Sequence, residues 1–218
     1  MTDSPTFIVA DDHPLFRHAR RQTLEPDFAG ARIVEAGTLD EAAAAIEAAV
    51  EPDLVLFDLN MPGARGFSGL MYLRAQYPTV PVCVVSAVED PGAIRRSMAL
   101  GAAGFVPKSS PPARIREAIG IILHGGTWTP PDVDLDVAAG EDDALAARLR
   151  SLTPQQLRVL MMMGEGLLNK QIAYELGVSE ATVKAHVSAV LQKLNVENRT
   201  RAVLAAGRFE IGQWHLGE

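Results

Sequence analysis

The stretch Leu54-Val55-Leu56-Phe57-Asp58-Leu59-Asn60-Met61-Pro62-Gly63 constrains the fold of this chain more than any other. Four apolar residues run into an acid, and Pro-Gly then breaks the chain. A short apolar run ended by turn residues reads as a buried strand of a parallel sheet. Asp58 falls at the carboxyl end of that strand, where open α/β sheets place their ligands. A lone acid there can equally cap a turn, so the neighbouring segments decide between the two.

Those segments repeat one pattern. Thr6 to Ala10 is a short apolar strand ending in Asp11-Asp12-His13-Pro14, and a helix follows from Pro14 to Leu24. Arg32 to Ala36 is a second strand. The alanine-rich run from Asp40 to Val50 is a second helix, with Asp40 as a cap. A glycine-containing helix spans about Phe67 to Gln76. Val80 to Ser86 is the fourth strand, and Pro91 to Leu100 the next helix, stopped by Gly101. Gly104 to Val106 is the fifth strand and leads into Pro107-Lys108. A last helix runs from about Pro112 to His124. Strands alternating with helices predict a parallel sheet with helices on both faces.

The chain has 218 residues, 48% of them hydrophobic. That length suggests two domains of roughly 100–150 residues. The polar start, Met1 to Pro5, is no signal peptide. No apolar run approaches the roughly 18 residues of a membrane span. The single cysteine, Cys83, excludes an internal disulfide and reads as a small core residue. A soluble cytoplasmic protein without a membrane partner is expected. The net charge of −7 argues at first against nucleic acid, but it is unevenly spread. Residues 1–125 carry −4, residues 126–151 carry −4, and residues 152–218 carry +1. The acid belongs to the first domain and the connector.

Asp11, Asp12, Asp58, Ser86 and Lys108 all fall at carboxyl ends of predicted strands, which a parallel sheet brings to one edge. Three carboxylates there would repel one another, with Lys108 as their basic neighbour. An all-oxygen set of this kind suits a hard divalent cation such as Mg2+.

In this order the motifs resemble the receiver domain of two-component response regulators, over about residues 5–125. The resemblance implies a doubly wound five-stranded parallel sheet, flavodoxin-like, and makes Asp58 the phospho-acceptor. Asp11, Asp12, Asp58 and the backbone carbonyl of Asn60 would hold Mg2+. Ser86 fills a Thr/Ser position that senses the phosphoryl group, Phe105 the aromatic switch position, and Lys108 the conjugate cation. A phosphoryl group carries about −1.5 to −2 charge at pH 7. A divalent ion and a lysine neutralise charge where it accumulates. Drawing Ser86 inward opens space for Phe105 and biases a two-state surface.

Residues 126–151 combine Gly, Pro and acid and read as a linker, with a short helix from Ala144 to Arg150. The second domain, 152–218, opens with a capping box at Thr153 and Gln156, with Pro154 at the first helical position. Asn169 is the expected cap of a helix through Leu176. Gly177 stops that helix and Ser179 caps the next, from Glu180 to Leu194. Val183, Val187, Val190, Leu191 and Leu194 form one apolar stripe of it. Ala181, Lys184, Ala185, Ser188 and Gln192 lie opposite, flanked by Thr182, His186 and Lys193. Small residues and lysine on an exposed face leave room for close approach to another surface. Helix, glycine turn and helix make a small all-α helix-turn-helix or, on periodicity alone, a plain bundle.

Leu152-Thr153-Pro154, Asn169-Lys170-Gln171-Ile172-Ala173, Leu176-Gly177-Val178-Ser179, Thr182-Val183-Lys184 and Lys193-Leu194 resemble the LuxR-type helix-turn-helix over about residues 152–207. Gln155-Gln156 departs from the Arg-Glu usual in that family, which puts a charge interaction in doubt. The whole chain thus resembles the NarL/FixJ response regulators. By that resemblance Lys184, Ala185 and Ser188 face the major groove, while Lys170, Thr182 and His186 lie nearer phosphates. The implied partners are a sensor histidine kinase, double-stranded promoter DNA and, once phosphorylated, a second copy of the chain. The implied function is a phosphorylation-controlled transcription regulator rather than an enzyme. Two rivals remain: a Mg2+-dependent phosphatase or phosphotransferase, and an orphan regulator whose receiver only mediates interactions. A haloacid-dehalogenase-type enzyme would carry a second Asp two residues after its nucleophile on the first strand; here Asp11 is followed at that spacing by His13.

Overall fold

The computed structural model describes residues 4–49, 52–62, 64, 66–135 and 141–209. β1 (Thr6–Ala10), β2 (Arg32–Ala36), β3 (Leu54–Phe57), β4 (Val82–Ser86) and β5 (Gly104–Pro107) form one parallel sheet in the order β2-β1-β3-β4-β5. The helices between and after them are α1 (Pro14–Leu24), α2 (Leu39–Ala48), α3 (Ser68–Gln76), α4 (Pro91–Ala99) and α5 (Pro112–Leu123). Successive side chains of a strand alternate between faces. Phe7, Val9, Leu54, Leu56, Cys83 and Val85 therefore pack with Ile115, Ile119 and Ile122 of α5. Ile8, Val55, Phe57, Val84 and Phe105 pack on the other side with Ala42, Ile46, Leu70 and Ile94. Burial on both faces explains the unbroken apolar runs. β2 is the edge, where Arg32 and Glu35 reach solvent. Cys83 is fully buried and its thiol is pushed up to about 12 by desolvation, so it is inert filler.

Two helix starts differ from expectation. α2 is capped by Thr38, whose Oγ1 accepts from the Glu41 amide at 3.1 Å, and Asp40 lies inside the first turn. α8 (Asn169–Leu176) is not capped by Asn169. The Gln171 side chain instead accepts the Leu168 amide at 2.7 Å, and Asn169 Oδ1 accepts from Arg199 at 3.3 Å. The other signals hold. Thr153 and Gln156 form the capping box of α7 (Pro154–Gly164). Gly177 takes the left-handed conformation, φ 63, that ends α8. Ser179 caps α9 (Glu180–Leu194).

The segment read as a linker has structure of its own. Trp128 pairs in parallel with Gly104 and accepts the Phe105 amide at 3.0 Å, which extends the sheet beyond β5. A Cβ on Gly104 would come within 2.8 Å of Ile122 and 3.0 Å of the Trp128 carbonyl oxygen, so a side chain there would disrupt the join. α6 (Glu141–Arg150) buries Leu145, Ala146 and Leu149 and touches α3, α4 and α9. One continuous apolar cluster thereby joins the sheet face to α7, α8, α9 and α10 (Arg199–Gly207). Just past α10, Phe209 is 1% exposed and packs edge-on against Phe67, with ring centroids 6.4 Å apart. The Phe67 amide donates to the Phe209 carbonyl at 3.2 Å, and Arg96 of α4 stacks over the Phe67 ring at 5.8 Å. Among the described residues no helix is long and apolar enough to cross a membrane.

Candidate functional site

The sheet register brings the sequence-predicted acids together. The Asp58 amide donates to the Ala10 carbonyl, and the Lys108 amide to the Ser86 carbonyl, so each residue continues a ladder just past its strand. Asp11 and Asp58 are buried, at 4% and 3% exposure. Lys108 Nζ lies 2.6 Å from Asp11 Oδ2 and 2.8 Å from Asp58 Oδ2. Its Nζ lies over the Phe16 ring, 4.4 Å from the centroid. Asp12 is partly exposed at the rim.

Burial raises the Asp58 carboxyl above its ordinary value. The Lys108 ammonium and the Asn60 backbone amide pull it back, and the Asp11 charge adds to the rise. Asn60 itself is exposed on the loop leaving β3. Asp58 Oδ1 is buried and, among the described residues, has no hydrogen-bond partner. An unpaired buried carboxylate oxygen is costly, and here it lies in a pocket of acids that fits a cation. One donor atom from each of Asp11, Asp12, His13 and Asp58 lies within 4.8 Å of the others. Such a pocket can bind a metal ion.

Ser86 is fully buried, and its Oγ accepts the Val88 amide at 3.1 Å at the start of the loop leading to α4. Phe105 is fully buried in the neighbouring strand. Ser86, Phe105 and Lys108 therefore stand on two paired strands, in the register Val84↔Phe105 and Ser86↔Pro107.

On α9, Val183, Val190 and Leu194 are buried, whereas Lys184, Ala185 and Ser188 are exposed. Thr182 and Lys170 are exposed too, and His186 is half-buried. Lys184 Nζ reaches Glu180 at 3.1 Å, one turn back on the same exposed face. The Thr182 hydroxyl is shared with Ser179 at 2.8 Å, at the helix start. Lys193 departs from the flanking position that periodicity gives it. Its Nζ donates to the Ser151 carbonyl at 2.6 Å and to Gln156 Oε1 at 2.8 Å. Gln156 thus keeps a contact with a cation, although the expected carboxylate is absent.

Three contributors were not legible beforehand. His13 joins the acid pocket, Phe16 supports Lys108, and Phe209 joins the two halves of the chain. Only His13 had a usable signal, its adjacency to the Asp11-Asp12 pair.

Residues 7–120 match the response regulator receiver domain, and residues 150–206 match the bacterial regulatory proteins of the luxR family. The glycerol metabolism activator of Pseudomonas putida is 44% identical over 211 residues, covering 94% of this chain and 96% of that protein. The nitrate/nitrite response regulator protein NarP of Escherichia coli K12 is 34% identical over 204 residues, covering 90% and 92%. Among solved structures, RcsB from Salmonella enterica serovar Typhimurium, bound to a promoter in the presence of the phosphomimetic BeF3−, superposes with a TM-score of 0.55. That match covers 94% of this chain and 98% of RcsB at 24% identity, and it bears on the fold alone.

Proposed function

The chain belongs to the response regulators that join a receiver domain to a LuxR-type DNA-binding domain, and from that premise we propose that phosphorylation of Asp58 controls its pairing on promoter DNA. The observation that carries this reading is the buried Asp58 carboxylate, held on one oxygen by Lys108 and, among the described residues, unpartnered on the other. The phosphatase reading falls, because the relatives are transcriptional activators and response regulators. Residues 1–125 act as the receiver, 126–151 as the connector and 152–218 as the DNA-binding part.

An oxygen of Asp58 attacks the phosphorus of a phosphohistidine on a sensor kinase, or of a small phosphodonor. An O–P bond forms, and the bond to the donor nitrogen or oxygen breaks with its electron pair. Lys108 is already placed to hold the transferred group, and the Ser86 hydroxyl supplies a further hydrogen bond once it leaves the Val88 amide. Asp11, Asp12, Asp58 and the Asn60 carbonyl would hold Mg2+, which neutralises charge on the incoming group when bound. Movement of Ser86 frees space for Phe105, and the surface around α4 and β5 changes.

DNA contact is assigned to α9. Lys184, Ala185 and Ser188 read the major groove, and Lys170, Thr182 and His186 support phosphate contacts. A C-terminal part of net charge +1 has little electrostatic grip alone. One recognition helix also reads too few bases to be selective. Pairing two copies joins their contacts through effective concentration. Half-sites then lie about 10–10.5 bp apart, or at a multiple of that.

Intact mass after acetyl phosphate treatment tests the first step. One phosphoryl group is expected on wild type with Mg2+, none in EDTA and none on Asp58→Asn. Equal labelling of both proteins overturns the assignment. Light scattering with and without beryllofluoride, alone and on operator DNA, tests pairing; an activated monomer with full specificity on one half-site overturns it.

A further inference from the structure

We propose that the pocket between the receiver and α6 binds a small organic carboxylate, gripped by Arg74 and Arg150 over an apolar floor. The site lies apart from the acid pocket. It goes beyond the signalling reading and does not depend on it.

The pocket has a volume of about 210 Å3 and forms where three helices end. Arg74 comes from the last turns of α3, Gly101 follows α4, and Arg150 ends α6. Met71, Ala75, Leu100 and Leu149 supply the apolar lining. α3 and α4 finish there, before β4 and β5 begin, so the pocket lies at the amino edge of the sheet, opposite the acids. Gly101 has φ +92, and a Cβ built on it would lie 3.6 Å from Arg74 Nε and 3.8 Å from Arg150 Cδ. Both arginines therefore border the same space, and the absence of a Cβ keeps it open.

The lining selects the occupant. Among the described residues no Asp or Glu faces the pocket. Arg74 gives one N–H to the Val80 carbonyl at 2.7 Å, and a guanidinium has five. Arg150 is exposed and, among the described residues, makes no hydrogen bond or ion pair. Burial lowers the Arg74 pKa, because desolvation disfavours its charge, and an anion beside it offsets that cost. The negative ends of α4 and α6 account for basic side chains nearby. They do not account for the spare N–H groups or for the apolar cavity between them. A carboxylate matches the planar guanidinium fork, and an apolar body covers Met71, Ala75, Leu100 and Leu149. The volume falls below the roughly 300–1,000 Å3 of sites for drug-sized ligands, so the occupant is a small acid. Its walls come from the receiver and from α6, so the bound acid favours the arrangement in which the two are docked.

Saturation-transfer NMR and calorimetry on the full chain test this, with benzoate, neutral benzamide and inorganic phosphate as probes. The proteins are wild type, Arg150→Gln and Ala75→Leu. Expected is one benzoate per chain in the millimolar range or tighter, with benzamide and phosphate each weaker by about tenfold or more. Arg150→Gln should weaken benzoate about tenfold and leave benzamide unchanged. Ala75→Leu, which fills the cavity, should abolish both. Arg150 is exposed and unpartnered among the described residues, so its variant keeps the fold and the test stays sharp if Ala75→Leu unfolds. Equal affinity for benzoate and benzamide, or for benzoate and phosphate, overturns the proposal. So does unchanged benzoate affinity in Arg150→Gln, or no benzoate binding to wild type at millimolar concentration. Benzoate binding that persists in a folded Ala75→Leu also overturns it, since the acid then sits elsewhere.

Discussion

Removing the charge of Lys108 while keeping its stem, as in Lys108→Met, should destabilise the metal-free protein severely. One ammonium now bridges two carboxylates that are 4% and 3% exposed. Without it, two like charges face each other with donor atoms within 4.8 Å. At an effective dielectric of about 20 their repulsion is about 3–4 kcal/mol. Removing one partner of a buried ion pair costs about 3–5 kcal/mol, so the two routes agree. Methionine keeps most of the stem's volume and loses the ammonium that lies over the Phe16 ring, so the loss reports charge rather than a cavity. The pH dependence follows from the direction of the Asp58 shift. Burial raises that carboxyl and Lys108 opposes the rise, so the variant's folded value climbs further above the unfolded one. Between those values the native state binds more protons, and stability falls as pH rises. The gap to wild type should therefore be small in acid, widen toward neutral pH and level off above the variant's raised value. Saturating Mg2+ should narrow it by replacing the lost cation. Urea unfolding followed by circular dichroism, in EDTA and in millimolar MgCl2 across this pH range, measures all three. A gap below about 1 kcal/mol in EDTA at neutral pH, the size of an exposed ion pair, would refute the reasoning. A gap indifferent to Mg2+ would refute the placing of the cation.

Gln156→Glu should stabilise the C-terminal part by about 0.5–1 kcal/mol, because Lys193 Nζ already sits 2.8 Å from Oε1; thermal unfolding should show the gain fading in high salt, and an unchanged midpoint at low salt counts against it. Lys184→Ala should cost about 1–3 kcal/mol and relax specificity at one base pair, while Lys170→Ala should weaken all sequences alike and lower the salt slope by about 0.9. Binding titrations at several salt concentrations separate the two, and a sequence-independent loss for Lys184→Ala contradicts its role. Ser86→Ala should keep acetyl phosphate labelling but lose phosphate-dependent DNA binding; full retention of both would rule out the switch. Phe209→Ala removes a ring that is 1% exposed, a change worth up to about 3–5 kcal/mol in a core. It should release the C-terminal helices from α3, seen as a larger radius of gyration by X-ray scattering, and an unchanged radius would show that α6 alone holds them.

The sheet was legible because β1, β3, β4 and β5 are buried on both faces and bounded by turn residues. Asp11, Asp58 and Lys108 were legible for the same reason, as each stands one residue past a strand end. α9 was legible to its last residue from Ser179, Gly177 and the valine stripe. Capping was harder. Thr38 and Asp40 both lie near the start of α2, and only Thr38 stands three residues before a free amide. Lys193 escaped because its long stem carries the ammonium away from the face its Cα occupies, to the start of α7. Phe209 escaped because a lone aromatic after a helix has no period, and its partner Phe67 is distant in sequence.

Phe67 also decides how the two halves can influence one another. It closes the loop that leaves Asp58, and its ring lies under Arg96 of α4. α4 is capped by Asp90, on the loop that leaves Ser86, and Arg96 lies 3.7 Å from that carboxylate. The loop leaving Asp58 therefore ends at the ring against which Phe209 rests, and the loop leaving Ser86 leads into the helix whose Arg96 stacks over that ring. Lys184, Ala185 and Ser188, proposed to read the groove, are exposed while this contact is made. Control by covering the recognition face would require them to be hidden. The contact at Phe209 thus holds the end of α10 against the receiver and leaves those residues of α9 uncovered.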